Sequence, residues 1–212
     1  TLPGFEPKLP EQLATERKAA EQAMAKTIAN AEIGQTIEGQ GVFLGRHRLK
    51  DEGGNSLGQI FNIFAAPQDL TDESGKKKVF RYVDVVKHMA ALKNWNGFDG
   101  AYYATDKELY EALKQDTYNG AWIIPTIDIL FGFDADGKKT QPHNLYAHRY
   151  TGDLKGTFDT QAKNQYDDFS DRYWSSTEGM PDPCRTVWVV RFSDGSAFNY
   201  NTRLAELSCR PV

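Results

Sequence analysis

The sequence has only two cysteines, and their spacing does not suit metal binding or redox chemistry. Cys184 and Cys209 do not form a Cys-x-x-Cys pair, so neither a zinc site nor a thioredoxin-like centre is expected. They form either one disulfide or two unreactive thiols. Because Cys184 precedes a predicted strand and Cys209 lies in the last one, we predict that they are joined, a crosslink that typically contributes ~2–4 kcal/mol.

Long apolar runs and an excess of basic residues are also missing. The most apolar stretch, residues 121–133, is interrupted by Pro125, Thr126 and Asp128 and is shorter than the ~20 residues of a membrane helix. The formal net charge is −4, which argues against nucleic acid or an anionic membrane as a partner. The chain begins at Thr1 rather than Met, so we expect that an initiator methionine, a tag or a signal peptide has been removed, and export stays open.

Residues 1–34 differ in pattern from the rest and predict an arm followed by a helix. The first ten residues hold three prolines, which exclude a continuous helix there. Residues 11–33 are rich in Ala, Glu, Lys and Gln, contain no Pro or Gly, and are followed by Gly34, which is typical of a helix C-terminus. This unit docks either on its own domain or on neighbouring copies, and residues 35–212 form the second unit.

The middle of the chain predicts one hairpin and two helices. Gly53-Gly54 separates two β-prone runs, which is a hairpin signal. Residues 79–93 carry apolar side chains at helical spacing. Thr105 is followed three residues later by Glu108, and this capping box predicts an inserted helix near residues 105–115.

A turn and a long loop region are predicted next. Asp134-x-Asp136-Gly137 is the strongest turn signal after the apolar stretch and predicts a hairpin there. Its spacing is partly that of a calcium loop, but Lys138 stands where a third oxygen ligand is needed, so we interpret it as a turn. Residues 140–172 are polar and aromatic without a clear period, and we interpret them as long surface loops.

The C-terminal stretch gives the clearest β signal. Alternating residues lie on both sides of Asp194-Gly195, which predicts a hairpin between residues 186–192 and 197–204. The residues expected to face the core are Trp188, Val190, Phe192, Phe198 and Tyr200. The opposite face is expected to be either simply solvated or a flat polar patch for a saccharide or protein ligand. The predicted ligand-binding residues are Arg191, Asn199, Asn201 and Arg203, with Tyr173 as a stacking edge.

Catalytic and metal-binding patterns are weak. The four histidines are scattered along the chain at His47, His88, His143 and His148. His143 and His148 lie close in sequence to Asp153 and form a weak candidate for a metal or acid–base cluster, although loop histidines are usually solvated. No glycine-rich phosphate loop or nucleophile elbow is present. We therefore predict a protein that is not an enzyme and has no cofactor or metal, with weak calcium binding by loop carboxylates left open.

Several motifs in order carry a resemblance to a known family. They are Tyr-Trp-Ser-Ser-Thr-Glu at 173–178, the Phe-Ser-Asp-Gly turn at 192–195, the terminal strand at 206–212 and Trp-Ile-Ile-Pro-Thr at 122–126. The chain resembles the C-terminal domain family of the Legionella collagen-like adhesin, which occurs in bacterial surface and phage proteins. It departs from that family at Ile129-Leu130, where a Glu-Leu pair is usual, and at residues 97–120, which look like an insertion.

The resemblance implies an α+β fold of the C-type-lectin-like kind, close to the formylglycine-generating-enzyme branch, with small antiparallel sheets and flanking helices. It implies a non-catalytic binding or display domain, an adhesin or receptor-binding protein that is extracellular, on a cell surface or on a virion. The expected partner is a protein or saccharide on a cell surface. The alternative is a structural decoration protein held by residues 1–34, with copies of itself or virion neighbours as partners.

Overall fold

The computed structural model describes residues 9–48, 58–72, 74–103, 106–115, 118, 120–133, 139, 142–161, 169–179, 186–201 and 205–212. It is a mixed α+β structure with two small antiparallel three-stranded sheets and several helices. The chain divides into two compact units, Thr1–Glu32 and Ile33–Val212. Within the described residues, no helix has the length and apolar character needed to cross a membrane.

The first unit contains helix α1 (Pro10–Ala29), which confirms the predicted N-terminal helix. Pro10 occupies the first helical position, where its missing N–H would have no partner in any case. The side chain of Gln12 accepts a hydrogen bond from the Leu9 backbone N–H at 3.0 Å, which satisfies one more free donor of the first turn. None of the residues of α1 is buried.

The first sheet of the second unit has the order β1-β2-β3, with β1 (Thr36–Ile37), β2 (Gly41–His47) and β3 (Phe61–Ala65). The antiparallel pairing of β2 with β3 confirms the predicted hairpin, while Gly53-Gly54 lies outside the described residues. The ladder is interrupted between Phe43 and Gly45, because one extra residue in β2 forms a bulge.

Three helices follow. Two of them, α2 (Tyr82–Ala91) and α3 (Asp106–Lys114), lie where helical spacing and the capping box predict them, although Thr105 is outside the described residues. The third, α4 (Ile127–Phe131), lies in the apolar stretch before the predicted turn at residues 134–137, which is itself outside the described residues. The bounds of α4 have a local reason, because the Thr126 side chain caps the first turn and Gly132, with a φ of 82°, ends the helix.

The prediction of surface loops over residues 140–172 is wrong for the described residues 142–161. This segment contains α5 (Leu145–His148) and a 3-10 helix at Gly152–Leu154. It also contributes buried side chains to the core: Leu145, Leu154 and Phe158. Helices of one turn are too short to show a hydrophobic period, which is why the sequence pattern misses them.

The second sheet has the order β4-β5-β6, with β4 (Arg172–Glu178), β5 (Thr186–Arg191) and β6 (Ala197–Asn201). The antiparallel pairing of β5 with β6 confirms the hairpin around Asp194-Gly195. Both faces of this sheet are covered, because neighbouring residues of its strands belong to two different core clusters. One cluster contains Tyr173, Val190 and Phe192, and the other contains Trp174, Val187 and Val189.

The C-terminal segment, residues 205–212, forms backbone contacts with several distant parts of the second unit. Backbone hydrogen bonds link Leu207 to Phe80 in both directions at 2.9 Å, and Val212 pairs with Ile123 in the same way. Ser208 lies beside Tyr173 of β4 in a parallel bridge. The end of the chain is therefore an internal strand-like element, and its residues are almost all buried.

Candidate functional site

The predicted polar patch on β5 and β6 does not form one face. Directly paired residues of an antiparallel ladder point to the same side of the sheet. Trp188 pairs with Asn199, and Val189 pairs with Phe198, so Trp188 and Phe198 lie on opposite faces, which corrects the predicted core face. Arg191 lies two residues after Val189 on β5, so the two side chains share a face. That face is opposite the one that carries Asn199.

The individual patch residues have different environments. Arg191 donates to the Asp194 carboxylate at 2.9 Å and lies over the Phe198 ring. Its guanidinium is therefore used in contacts within the β5–β6 hairpin. Asn199 is exposed. The side chain of Asn201 and all of Arg203 lie outside the described residues.

Tyr173 offers no stacking edge to a surface ligand, which corrects its predicted role. Its side chain is fully buried. The hydroxyl donates to Asp69 Oδ2 at 2.9 Å and accepts from the Asp159 backbone N–H at 2.9 Å. Burial, and then the negative charge of Asp69, raises the pKa of Tyr173 well above its ordinary value, so the hydroxyl remains a donor to this carboxylate.

Asp69 is the centre of a buried ionic network. Its two carboxylate oxygens contact Arg210 Nε and Lys77 Nζ, each at 2.7 Å. Arg210 is fully buried, and its other nitrogens donate to the backbone oxygens of Ala66 and Thr157. A buried charge is tolerated only when it is paired and hydrogen-bonded in this way, so we assign the network to stability.

The polar side chains of the Tyr-Trp-Ser-Ser-Thr-Glu motif are used within the protein. Ser175 Oγ donates to the Trp188 carbonyl at 2.8 Å, and Thr177 Oγ1 accepts from the Ile127 N–H at 2.8 Å. Trp174 is fully buried, and its indole N–H donates to the Phe80 carbonyl. These contacts are those of a structural motif in a strand, as expected for buried hydroxyls and indoles.

The predicted Cys184–Cys209 disulfide stays a prediction, since Cys184 lies outside the described residues. Cys209 is a free thiol in this structure and is fully buried. Burial raises its pKa far above the ordinary range. An inaccessible neutral thiol is a poor nucleophile, so Cys209 is not a catalytic candidate.

An apolar cavity of about 200 Å³ lies between β3, α3 and Val212. Phe61 and Ile63 contribute from β3, and Leu109 and Leu113 contribute from α3. The remaining lining residues are Gln40, Asn62, Phe64, Phe98, Tyr118, Gly120, Ala121, Trp122, Ile123, Ile129 and Val212. Because Asn62 and Gly120 are exposed, the cavity reaches the protein surface.

The wall of the cavity is fixed by aromatic packing around Trp122. The Trp122 indole N–H donates to the Trp95 carbonyl at 2.9 Å. Its ring packs edge-on against Phe98 at 5.3 Å between centroids, a preferred geometry for aromatic pairs. The Tyr118 hydroxyl donates to the Ala121 carbonyl. The donors in this part of the wall are therefore satisfied, and the space beside them is apolar.

A second candidate is a group of three histidines, which we call the histidine cluster: His47, His143 and His148. His143 Nδ1 and His148 Nε2 lie 3.1 Å apart, so one ring nitrogen donates to the other. The sequence predicts the proximity of these two but not of His47, which comes from the end of β2. Asp153 is not part of the cluster, because its carboxylate accepts from the Thr36 hydroxyl at 2.6 Å.

His47 is the unusual member of the histidine cluster. It is fully buried, and neither of its ring nitrogens has a hydrogen-bond partner. Burial first, and then His143 and His148, lower its pKa from 6.5 to about 4. Gly45, with a φ of 128°, allows the close approach of His143, because a β-carbon there would lie 3.3 Å from the β-carbon of His143.

Among the described residues, no group of three or more His, Cys, Asp and Glu side chains is arranged to hold a metal ion. No family model, no curated protein and no solved structure matches this chain.

Proposed function

We propose that this chain is a non-catalytic binding and display domain of the C-type-lectin-like kind, from a bacterial or phage surface, and that its ligand enters the apolar cavity. The motifs at 173–178, 192–195 and 206–212 support the lectin-like assignment. The two small antiparallel sheets with flanking helices are compatible with it. The cavity is the observation on which the binding proposal depends.

The size and lining of the cavity define the ligand class. Sites for drug-sized molecules occupy roughly 300–1,000 Å³, so a cavity of about 200 Å³ is too small for them. An apolar cavity of about 150 Å³ can bind benzene. The rings of Phe61, Phe98 and Trp122 provide edges and faces for an aromatic guest. The occupant is a single aromatic group of the size of indole.

The absence of a role in catalysis is supported by how the polar groups are used. Ser175 and Thr177 contact backbone groups, and Asp69 is neutralised by two cations. Asp171 accepts from the Ser193 hydroxyl at 2.6 Å. Each of these groups is held by protein partners, whereas a general base must reach a substrate proton.

Calorimetric titration with indole at pH 7 tests the proposal. We expect saturable binding to the wild-type protein. Leu113→Phe adds a ring to the cavity wall and is expected to weaken the affinity by about tenfold or more, because a filled cavity cannot accept the guest without strain. The matched control is Leu13→Phe in α1, where the side chain is 52% exposed and the same change should have no effect.

Asn199→Ala separates the cavity from the polar surface predicted from sequence. Binding that is unchanged in Asn199→Ala and reduced in Leu113→Phe supports the cavity. Absence of indole binding to the wild-type protein, or equal binding to Leu113→Phe, contradicts the proposal.

A further inference from the structure

The histidine cluster and the apolar cavity meet at one pair of residues. His47 is the last residue of β2 and pairs directly with Phe61, the first residue of β3. Paired residues of an antiparallel ladder share a face, with β-carbons about 4.5–5.5 Å apart. Phe61 also lines the cavity. A movement of His47 would therefore be transmitted to the cavity wall.

The buried surroundings of His47 favour the neutral form of its imidazole. His47 has two ring nitrogens without partners in a fully buried position, so nothing in its surroundings would compensate a positive charge. His143 and His148 act electrostatically on His47 and lower its pKa, and they are themselves joined at 3.1 Å. A proton on either of these rings would repel a proton on His47.

The other charged groups near the cluster have different partners. Arg46, which precedes His47 on β2, lies over the Phe43 ring at 5.4 Å. Arg149, which follows α5, lies over the Tyr146 ring at 3.7 Å. The Asp153 carboxylate is bound to Thr36. The two groups that act electrostatically on His47 are His143 and His148, and both lower its pKa.

We propose that the histidine cluster is a pH-sensitive latch: at neutral pH it holds His47 and Phe61 packed in the cavity wall (the closed state), and it releases them when His47 takes up a proton (the open state). The control of ligand binding rests on the proposed function of the cavity, while the latch itself can be tested without a ligand. The charge change is a simple transfer of protons from solvent to the ring nitrogens.

The direction of the pH effect follows from the two protonation equilibria. In the open state, in which His47 has left its buried position, its pKa has the ordinary value of 6.5. In the closed state the pKa of His47 is about 4. The open state therefore binds more protons between these values. The stability of the closed state is complete above about pH 6.5 and is lost progressively as the pH falls towards 4. The pKa of His148 is also lowered, by burial and then by His143, which adds to the loss.

Native-state hydrogen exchange of the β3 amides, corrected for the intrinsic exchange rate, tests the latch. We expect protection at residues 61–65 to fall on the order of tenfold between pH 7 and pH 5. His47→Phe, which cannot be protonated, should remove this pH dependence. The matched control is His88→Gln, because His88 is the one histidine of the four outside the cluster, and it should behave as wild type.

A second variant covers the case in which His47→Phe does not fold. His148→Gln keeps His47 and removes one neighbour that lowers its pKa, so the fall in protection between pH 7 and pH 5 should be smaller. Protection that falls equally in wild type and in the folded cluster variants contradicts the latch. Histidine ring signals from NMR provide the direct readout, since one imidazole should remain neutral down to about pH 4.

Indole titrations at pH 7 and pH 5 then distinguish the two proposals. Weaker binding at pH 5 in wild type, but not in His47→Phe, supports control of the cavity by the latch. Failure of indole to bind at pH 7 contradicts the cavity, while the exchange data still decide whether the latch exists. Equal affinity at both pH values leaves the cavity in place and contradicts its control by the latch.

Discussion

The guanidinium of Arg210 carries a full charge into the protein interior. It contacts Asp69 at 2.7 Å, donates to the Thr157 carbonyl at 2.6 Å and lies over the Phe158 ring at 4.0 Å. Removing a charge of this kind from water costs several kcal/mol, which the partner and the hydrogen bonds offset. The energetic importance of the pair is therefore seen when one partner is removed, because the other charge is left behind.

Arg210→Met should destabilise the protein by about 3 kcal/mol, near the lower end of the range for a broken buried pair. The lower end is expected because Lys77 still contacts Asp69. Urea unfolding measures the change. Lys93→Met breaks an exposed pair with Asp99 and serves as the control, with an expected loss of about 0–1 kcal/mol. Equal losses in the two variants would show that the buried network does not stabilise the fold.

At the scale of elements, α4 depends on a strand that is distant in sequence. The helix has only five residues, which is too short to be stable by itself. Its first N–H, from Ile127, donates to Thr177 Oγ1 of β4 at 2.8 Å, and Thr126 caps the Ile129 N–H. The helix therefore forms where β4 provides an acceptor for its free N-terminal donors.

Thr177→Val should cost about 1–3 kcal/mol, because it keeps the shape of the side chain and leaves the Ile127 N–H buried without an acceptor. Thermal unfolding, together with the exchange rate of the Ile127 amide, reports the effect. Thr15→Val on the exposed surface of α1 makes the same chemical change and should have little effect. A stable Thr177→Val variant with unchanged exchange would mean that α4 does not need this contact.

At the scale of the whole molecule, the division between the two units lies at Glu32 rather than at the predicted residue 34. Gly34 belongs to the second unit. Its N–H donates to the Phe43 carbonyl at 2.8 Å, and its carbonyl accepts from the Asp153 N–H at 2.7 Å. A deletion that removes Gly34 would cut two backbone contacts of the body.

A chain without residues 1–32 should fold with the same core, because both core clusters consist of residues from Val42 onwards. We expect its free energy of unfolding to remain within about 1 kcal/mol of the full chain. A chain without residues 1–34 is the comparison and should be less stable. Light scattering on these chains shows whether the N-terminal unit carries self-association, and an unfolded 33–212 chain would contradict the division.

Local patterns in the sequence determined most of the regular elements of this protein. The composition of residues 11–33 predicts α1, helical spacing predicts α2, a capping box predicts α3, and turn residues between β-prone runs predict the β2–β3 and β5–β6 hairpins. These features depend on interactions within a few residues, so they are visible in one sequence. Charge and the shortage of long apolar runs likewise limit the classes of partner without a structure.

Only the tertiary structure decided which side chains meet. The register of β5 against β6 places Trp188 opposite Asn199, and alternation within each strand cannot reveal this pairing. Tyr173 looks like a surface aromatic in sequence but is buried, because residues 205–212 and Asp69 cover it. His47 comes near His143 and His148 because residues 142–148 pack against β2, where Gly45 leaves room for His143. The cavity and the histidine cluster arise from contacts between distant segments, and such contacts depend on packing rather than on local propensity.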